Sequence, residues 1–415
     1  VTNGRDLDSL LLITSSLLIF IGLALIYSVF HPHGAGLEQS TGSEYFNRQL
    51  LWVCFGVVAG LIGFMTPIRF FEALAHVFYA ACLVLLVAVL FSAHAQGAQR
   101  WISIGPMKLQ PSEFMKPALL FVWGRVLSGH FSGPDRIRKL LIAIGLSLPP
   151  FLLVLRQPDL GTAIVLSVIL LPVLYWRGVK GRQIFAVLSP IVAVLLIIYS
   201  EQISGNPWPF GIFIVAVFVV AYLRRAYVVE SVSLVVANLS VALIFPIVWD
   251  RLKGYQQLRI LNFLDPGTDK LGAGWQVFQS KIAIGSGGIS GKGYLEGTQK
   301  ALEFLPAKHT DFVFSVLGEE MGFVGAILVL MVFGVLISRT LATAVKTKGQ
   351  FASTVCVGIA AYFFCQVFVN VAMTIGMAPV TGIPIPFLSY GGSSLVTSCF
   401  FIGFVLNCSA KWYEY

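Results

Sequence analysis

Residues 263–293 read FLDPGTDKLGAGWQVFQSKIAIGSGGISGKG. Two carboxylates, Asp265 and Asp269, and three cations, Lys270, Lys281 and Lys292, share this stretch with a run of glycines. A carboxylate can take the proton of a weak nucleophile. Glycine-rich turns can aim backbone N–H groups at phosphate oxygens, and lysine adds a point charge. The stretch is not a nucleotide loop. Counting back from Lys292 in G-x-x-x-x-G-K-[ST] puts Ser286 at the first glycine and Gly293 at the hydroxyl position. In G-x-G-x-x-G from Gly285, Ser290 stands where the last glycine is needed. No nucleotide is expected. On residue chemistry alone, Asp269 could equally cap a turn, and the glycines could simply satisfy turns. Two features point further. WQVFQSKIAIG is apolar enough to lie on a membrane surface or pack under the protein, and LEFLPAKHTDF carries His309 and Asp311 straight into an apolar run. Asp, Lys and His on a loop that folds back to a bilayer suit an anionic headgroup.

Other polar residues interrupt apolar runs. QPSEFMK puts Glu113 and Lys116 three apart, on one helix face. A lone charge at mid-membrane costs about 2.5–3.5 kcal/mol on insertion scales, so a pair facing the protein interior is expected. It could be a structural ion pair or one wall of a polar cavity. Asp159, in RQPDLGTA, is placed to cap the helix after it. GEEMG puts Glu319 and Glu320 in a helix beginning near Asp311. MAPVTGIPIPFLSYGGSSL has Pro379, Pro384 and Pro386 within eight residues. They preclude regular helix there, and irregular backbone at that depth is tolerated only inside protein or beside a wet cavity. Ser393 follows with small, hydrogen-bonding neighbours. Arg100, before a predicted helix, completes a candidate set for the cavity or substrate: Glu113, Lys116, Arg100, Lys281, Lys292, His309, Asp311 and Ser393.

The elements that must position these residues are membrane helices. Of 415 residues, 57% are hydrophobic and 11% charged, against about 25% charged in soluble domains. The mean hydropathy is +0.84. The expected fold is all-α, a polytopic integral membrane helical bundle forming a single membrane domain over 1–415. Continuous apolar runs, rather than ten-residue alternating segments, exclude a β-barrel. Twelve spans are expected, near 10–30, 50–66, 74–93, 113–128, 139–156, 160–176, 184–200, 209–223, 232–248, 311–337, 351–377 and 385–408. The fourth and eighth are short enough to be tilted, shielded or re-entrant. The first is read as a retained helix rather than a signal peptide. The six cysteines lie in apolar segments with no CxxC spacing and read as packing residues. The net charge of +9 is spread through short loops, which argues for orientation signals and against nucleic acid. With the N-terminus cytoplasmic, connections and tails on that side hold fifteen Lys and Arg, against five on the other. The remaining eight lie in residues 250–310, a loop too long for the rule to count. Both termini are therefore expected in the cytoplasm and the long loop outside.

Several stretches resemble the SEDS family (RodA, FtsW and SpoVE): GAQRWISIG…LQPSE, QPDLGTA, QSKIAIGSGGISGKGYLEGTQ, LEFLPAKHTDFVFSVLGEEMG and PFLSYGGSS. They cover most of residues 96–162 and 263–400, and the SKIAIGSGG wording resembles RodA. The resemblance implies a bacterial inner-membrane peptidoglycan glycosyltransferase. Such an enzyme polymerises lipid II outside the membrane during elongation and rod-shape maintenance, inverting the anomeric centre. It implies work alongside a class B penicillin-binding protein and the elongation machinery. It places the essential carboxylate on Asp269 rather than Asp265, and the family's paired charges on Glu113 and Lys116. A divalent cation is one candidate for stabilising the leaving diphosphate. The alternative is a lipid II flippase, a transporter without chemistry. Family members typically have ten helices, so about 200–248 reads as a two-helix insertion.

Overall fold

The computed structural model describes residues 8–31, 39–91, 100–104, 107–129, 133–223, 228–251, 254, 257–258, 261, 273–298 and 309–411. Asp265 and Asp269 lie outside them. The apolar runs form helices because a bilayer offers backbone polar groups no partner beyond their own segment. In chain order these are α1 (Ser9–Phe30), α2 (Gln39–Met65) and α3 (Ile68–Leu90), then a hairpin of β1 (Ile102–Ile104) and β2 (Met107–Leu109). After it come α4 (Pro111–Leu127), α5 (Gly133–Arg156), α6 (Leu160–Trp176), α7 (Gly181–Ile198), α8 (Trp208–Leu223) and α9 (Val228–Trp249). The last are α10 (Ala273–Gly287), α11 (Val313–Lys346), α12 (Gln350–Thr374) and α13 (Gly392–Ala410). Each of the twelve expected spans falls on a helix. Among the described residues eight helices are long and apolar enough to cross a membrane, and α6, α8 and α9 contribute shorter apolar stretches.

Four local features differ from the expectation or refine it. The last span begins at Gly392, not near 385: Phe387 takes φ 66° and the chain before it is irregular, as its prolines require. α4 is short, with 17 residues, and it is shielded; from Pro111 to Gly124 every side chain but Phe114 is buried. α10 is a helix within what reads as a loop. Five of the six cysteines are buried as packing residues, but Cys54 is exposed.

The chain forms two compact units. The larger comprises residues 1–178, 279–375 and 381–415. Its centre is α12 and α13, whose most apolar windows are 72% and 83% buried, against 17% for α2, which must therefore face lipid. Asp8 caps α1 by accepting from Leu11 N at 3.2 Å, and it pairs with Arg339 of α11 at 2.8 Å. The smaller unit, residues 179–278 and 376–380, holds α7, α8 and α9. Ile197, Ile198, Phe245 and Trp249 form its core, and Asn238 donates to Ser189 across α9 and α7 at 2.9 Å.

Candidate active site at one end of the larger unit

Helices α4, α6, α11 and α13 begin, and α1, α3, α5 and α12 end, at the same end of the larger unit. Specific hydrogen bonds tie these ends together. Asp159 caps α6 as expected, accepting from Thr162 N at 3.2 Å and Thr162 Oγ1 at 2.9 Å. Its carboxylate also accepts from Gln110 Nε2 at 3.2 Å, at the threshold of α4. Gln110 N donates to Ser393 Oγ at 3.0 Å, in the first turn of α13. Arg100 holds the end of α5, donating to the carbonyls of Gln157, at 3.1 Å, and Pro158. On the far side Tyr390 N donates to the His309 carbonyl at 2.8 Å. The His309 ring sits among Phe30, Tyr45 and Tyr390, with centroids 5.5, 5.5 and 5.8 Å away. Asn370, in the last turns of α12, donates to the carbonyls of Asp311 at 2.8 Å and Ile383 at 2.6 Å. One buried amide thereby fixes both the start of α11 and the irregular stretch before α13.

From this rim a polar column runs inward between α4, α12 and α13. Glu113 and Lys116 form the expected pair: Nζ to Oε1 is 2.6 Å and both side chains are 2–3% exposed. Lys116 Nζ also lies 5.2 Å from the centroid of the Tyr362 ring. The Tyr362 hydroxyl is 3.3 Å from Ser398 Oγ, and Ser394 and Gln366 face it as well. The second Glu113 oxygen and the hydroxyls of Ser112 and Thr397 are buried without a protein partner. Unmet polar capacity of this kind costs about 1–3 kcal/mol per group unless water or a polar ligand group meets it. The pairing fits a structural ion pair and a polar cavity wall alike.

The glycine-rich return of the long loop behaves differently from the phosphate-cradle expectation. Ser280 of α10 bonds to Ser315 Oγ at 2.6 Å and donates to the Thr374 carbonyl at 2.7 Å, at the rim. The chain then descends beside α11. Phe323 N and Val324 N donate to the carbonyls of Gly288 and Ile289 at 2.9 and 3.1 Å, and Lys292 N and Gly293 N to those of Glu319 and Glu320 at 3.0 and 3.1 Å. These bonds are possible because α11 breaks at Gly322, whose φ 64° and ψ −165° only glycine adopts readily. A Cβ on Gly287 would sit 2.0 Å from the Gly318 carbonyl oxygen, and one on Gly291 2.1 Å from that of Glu320. Here close backbone approach serves packing of chain on chain. Lys292, expected at a phosphate, instead pairs with Glu319 at 2.7 Å. Glu319 and Glu320 are both buried, and Glu320 accepts from Ser28 of α1.

Of the predicted residues, the structure groups Glu113 with Lys116, brings Ser393, His309, Asp311 and Arg100 to one rim, and leaves Lys281 exposed on α10. Asp269 lies outside the described residues. Sequence reasoning missed Gln110, Tyr362, Gln366 and Asn370. The last three stand four apart in an apolar helix, a polar face that the spacing alone could have revealed. Among the described residues no three His, Cys, Asp or Glu side chains converge to hold a metal.

Comparison with known proteins covers nearly the whole chain. The profile of the FtsW/RodA/SpoVE family, described as cell cycle protein, matches residues 8–209 and 192–414. The peptidoglycan glycosyltransferase MrdB of Escherichia coli K12 is 36% identical over 402 residues, covering 96% of this chain and 94% of the relative. A chain from a peptidoglycan synthase complex, described for its structural coordination of polymerization and crosslinking, superposes with TM-score 0.68 at 26% identity and 99% coverage of both chains. The rod shape determining protein RodA of Thermus thermophilus superposes with TM-score 0.63 at 25% identity, covering 98% of each.

Proposed function

The chain belongs to the FtsW/RodA/SpoVE family and is a peptidoglycan glycosyltransferase, and we propose that it polymerises lipid II with Asp269 as its general base, at the outer face of the bacterial inner membrane. The observation that carries the reading is the full-length match to a peptidoglycan glycosyltransferase, in a bundle that buries a Glu113–Lys116 pair in α4. The 4-hydroxyl of the acceptor's GlcNAc attacks the anomeric carbon of the strand's terminal MurNAc. The new C–O bond forms as the bond to undecaprenyl diphosphate breaks, and the hydroxyl proton passes to Asp269. A sugar hydroxyl is a weak nucleophile, so a base contributes about 10²–10⁴-fold. Single displacement inverts an α-linked donor to a β-linked product and needs one key carboxylate. The diphosphate leaves as an anion and needs charge stabilisation rather than a proton. Arginine and lysine of the rim would supply it; a divalent cation would do the same, and the described residues suggest no ligands for one. His309, Asp311 and Ser393 would shape the rim that receives the sugar headgroup.

The synthase-complex likeness supports a class B penicillin-binding protein as partner during elongation and rod-shape maintenance. The segment 200–248, which we read as added to the family's ten helices, contributes α8 and most of α9. Purified protein supplied with lipid II in detergent tests the reading. Glycan chains are expected from the wild type, and loss of at least about 10²-fold from Asp269→Asn. Translocation of lipid II with no glycan chains formed would replace the enzyme by a flippase.

A further inference from the structure

We propose that a cavity at the end of the larger unit opposite the rim, between the starts of α3 and α12 and the end of α4, binds the phosphate of an anionic phospholipid headgroup.

The cavity has a volume of about 480 Å³. Arg69 and Glu72 of α3, Ser128 and Gly129 after α4, and Gly349 and Gln350 at the start of α12 form its polar wall. Four helices each send one cation to this place. Arg69 stands in the wall, exposed, and no carboxylate among the described residues pairs with it. Arg125 of α4 donates to the carbonyls of Glu72 at 2.6 Å and Ala73 at 2.7 Å. Lys139 of α5 donates to the Ser128 carbonyl at 2.5 Å. Arg177, just after α6, donates to the Gly129 carbonyl at 3.2 Å and to Gln350 Oε1 at 3.0 Å, while its Nε is buried without a protein partner. Gly129 N donates to the same Gln350 oxygen at 2.6 Å, which ties the turn to α12.

Neutral carbonyl and amide oxygens satisfy these donors but do not cancel their charge. Among the described residues Glu72 carries the one carboxylate of the wall. The cavity and its surround thus set four cations against one anion. Net positive charge in a concave site with low-dielectric walls attracts an anion, and guanidinium and ammonium groups match phosphate oxygens. Orientation in the membrane explains cations at this end as a class. It does not explain why four of them, from four helices, gather around one turn and one hollow.

The flank of the cavity favours a lipid over a free anion. Phe70, Leu74 and Val77 of α3, spaced i, i+4 and i+7, are 55%, 39% and 64% exposed. This stripe starts one residue after Arg69, and in a membrane bundle an exposed apolar helix face meets acyl chains. The lysine and arginine bias predicts this end on the cytoplasmic side. Basic pockets between membrane helices on that side suit anionic headgroups. A headgroup held in the cavity would leave its chains along α3.

The test titrates delipidated full-length protein in detergent with phosphatidylglycerol, phosphatidylcholine, inorganic phosphate or polyglutamate. Native mass spectrometry reads bound lipid, and thermal unfolding reads stabilisation. Phosphatidylglycerol should bind and raise the melting temperature, with phosphatidylcholine at least about fivefold weaker, the factor expected for one basic group near anionic lipid. Arg69→Gln, which removes no hydrogen bond among the described residues, should weaken phosphatidylglycerol by about fivefold. Glu72→Gln removes the opposing charge and should tighten it by about the same factor, a gain that a damaged fold would not produce. Lys180→Gln removes an exposed cation outside the cavity and should change binding by less than about twofold. Equal weakening by Arg69→Gln and Lys180→Gln, no preference for phosphatidylglycerol, or no gain from Glu72→Gln overturns the proposal. So does stabilisation by inorganic phosphate equal to that by the lipid, which would make the occupant a free anion. Displacement of the lipid by a lower concentration of polyglutamate overturns it too, in favour of an acidic protein segment.

Discussion

Lys116 places its ammonium over the ring of Tyr362, 5.2 Å from the centroid. The same ammonium is 2.6 Å from Glu113. The pair is therefore held by a carboxylate on its own helix and an aromatic face on α12, so the ion pair also ties α4 to the centre of the bundle. Tyr362→Phe keeps the ring and loses the hydroxyl that meets Ser398. Tyr362→Leu loses both. A desolvated cation–π contact contributes up to about 2 kcal/mol. The leucine variant should unfold at lower temperature than the phenylalanine variant; equal melting of the two would mean that the ring face contributes nothing.

Breaking the ion pair should be costlier than deleting it. Glu113→Gln strands Lys116, and Lys116→Met strands Glu113, each in a site where both side chains are 2–3% exposed. One-sided removal of a buried pair costs about 3–5 kcal/mol, whereas apolar replacement of both partners is often neutral. Thermal unfolding in detergent should thus rank both singles below Glu113→Leu/Lys116→Met. Polymerisation separates the two readings left open by the sequence. If the double variant is stable and inactive, the column acts on substrate; if it is stable and active, the pair is structural.

Much of this was legible in the sequence because it is local. The i,i+3 spacing of Glu113 and Lys116, the cap at Asp159 and the prolines before α13 each follow from neighbours in the chain. The choice of Glu319 by Lys292 does not. Those residues are 27 apart, and their meeting depends on α11 breaking at Gly322 and on α10 turning inward beneath the rim. The glycines of 285–293 were equally ambiguous, since a glycine needed against a phosphate and one needed against a carbonyl look the same until the partner is placed. Tyr362, Gln366 and Asn370 were readable from their spacing, but their partners on α4, α11 and α13 were not.

That ambiguity yields a test on three glycines. Gly291 has φ 81° and no room for a Cβ against the Glu320 carbonyl, and Gly322 has φ 64° with Gly291 N 2.3 Å from the position of a Cβ. Alanine at either should destabilise the fold and depress activity with it. Gly285 lies in α10 with nothing within 4 Å of a Cβ. Alanine there should be neutral or stabilise by about 0.5–1 kcal/mol. Loss of polymerisation by Gly285→Ala without loss of stability would return the phosphate cradle to this segment.

Orientation can be read with thiol reagents, because the rim and the opposite end each offer an exposed lysine. Lys108 lies on β2, between α3 and α4, and Lys346 ends α11. Gly297, within the long loop, is buried and would report poorly. The bias of fifteen basic residues to five predicts Lys346 in the cytoplasm and Lys108 outside. With Cys54 changed to Ser, Lys108→Cys should react in intact cells with a reagent that does not cross membranes. Lys346→Cys should react only after the membrane is made leaky. That outcome would put the rim that carries β2 outside, where the proposed polymerisation of lipid II needs it. Labelling of Lys346→Cys, and not Lys108→Cys, in intact cells would point the column into the cytoplasm and remove the proposed site of strand synthesis.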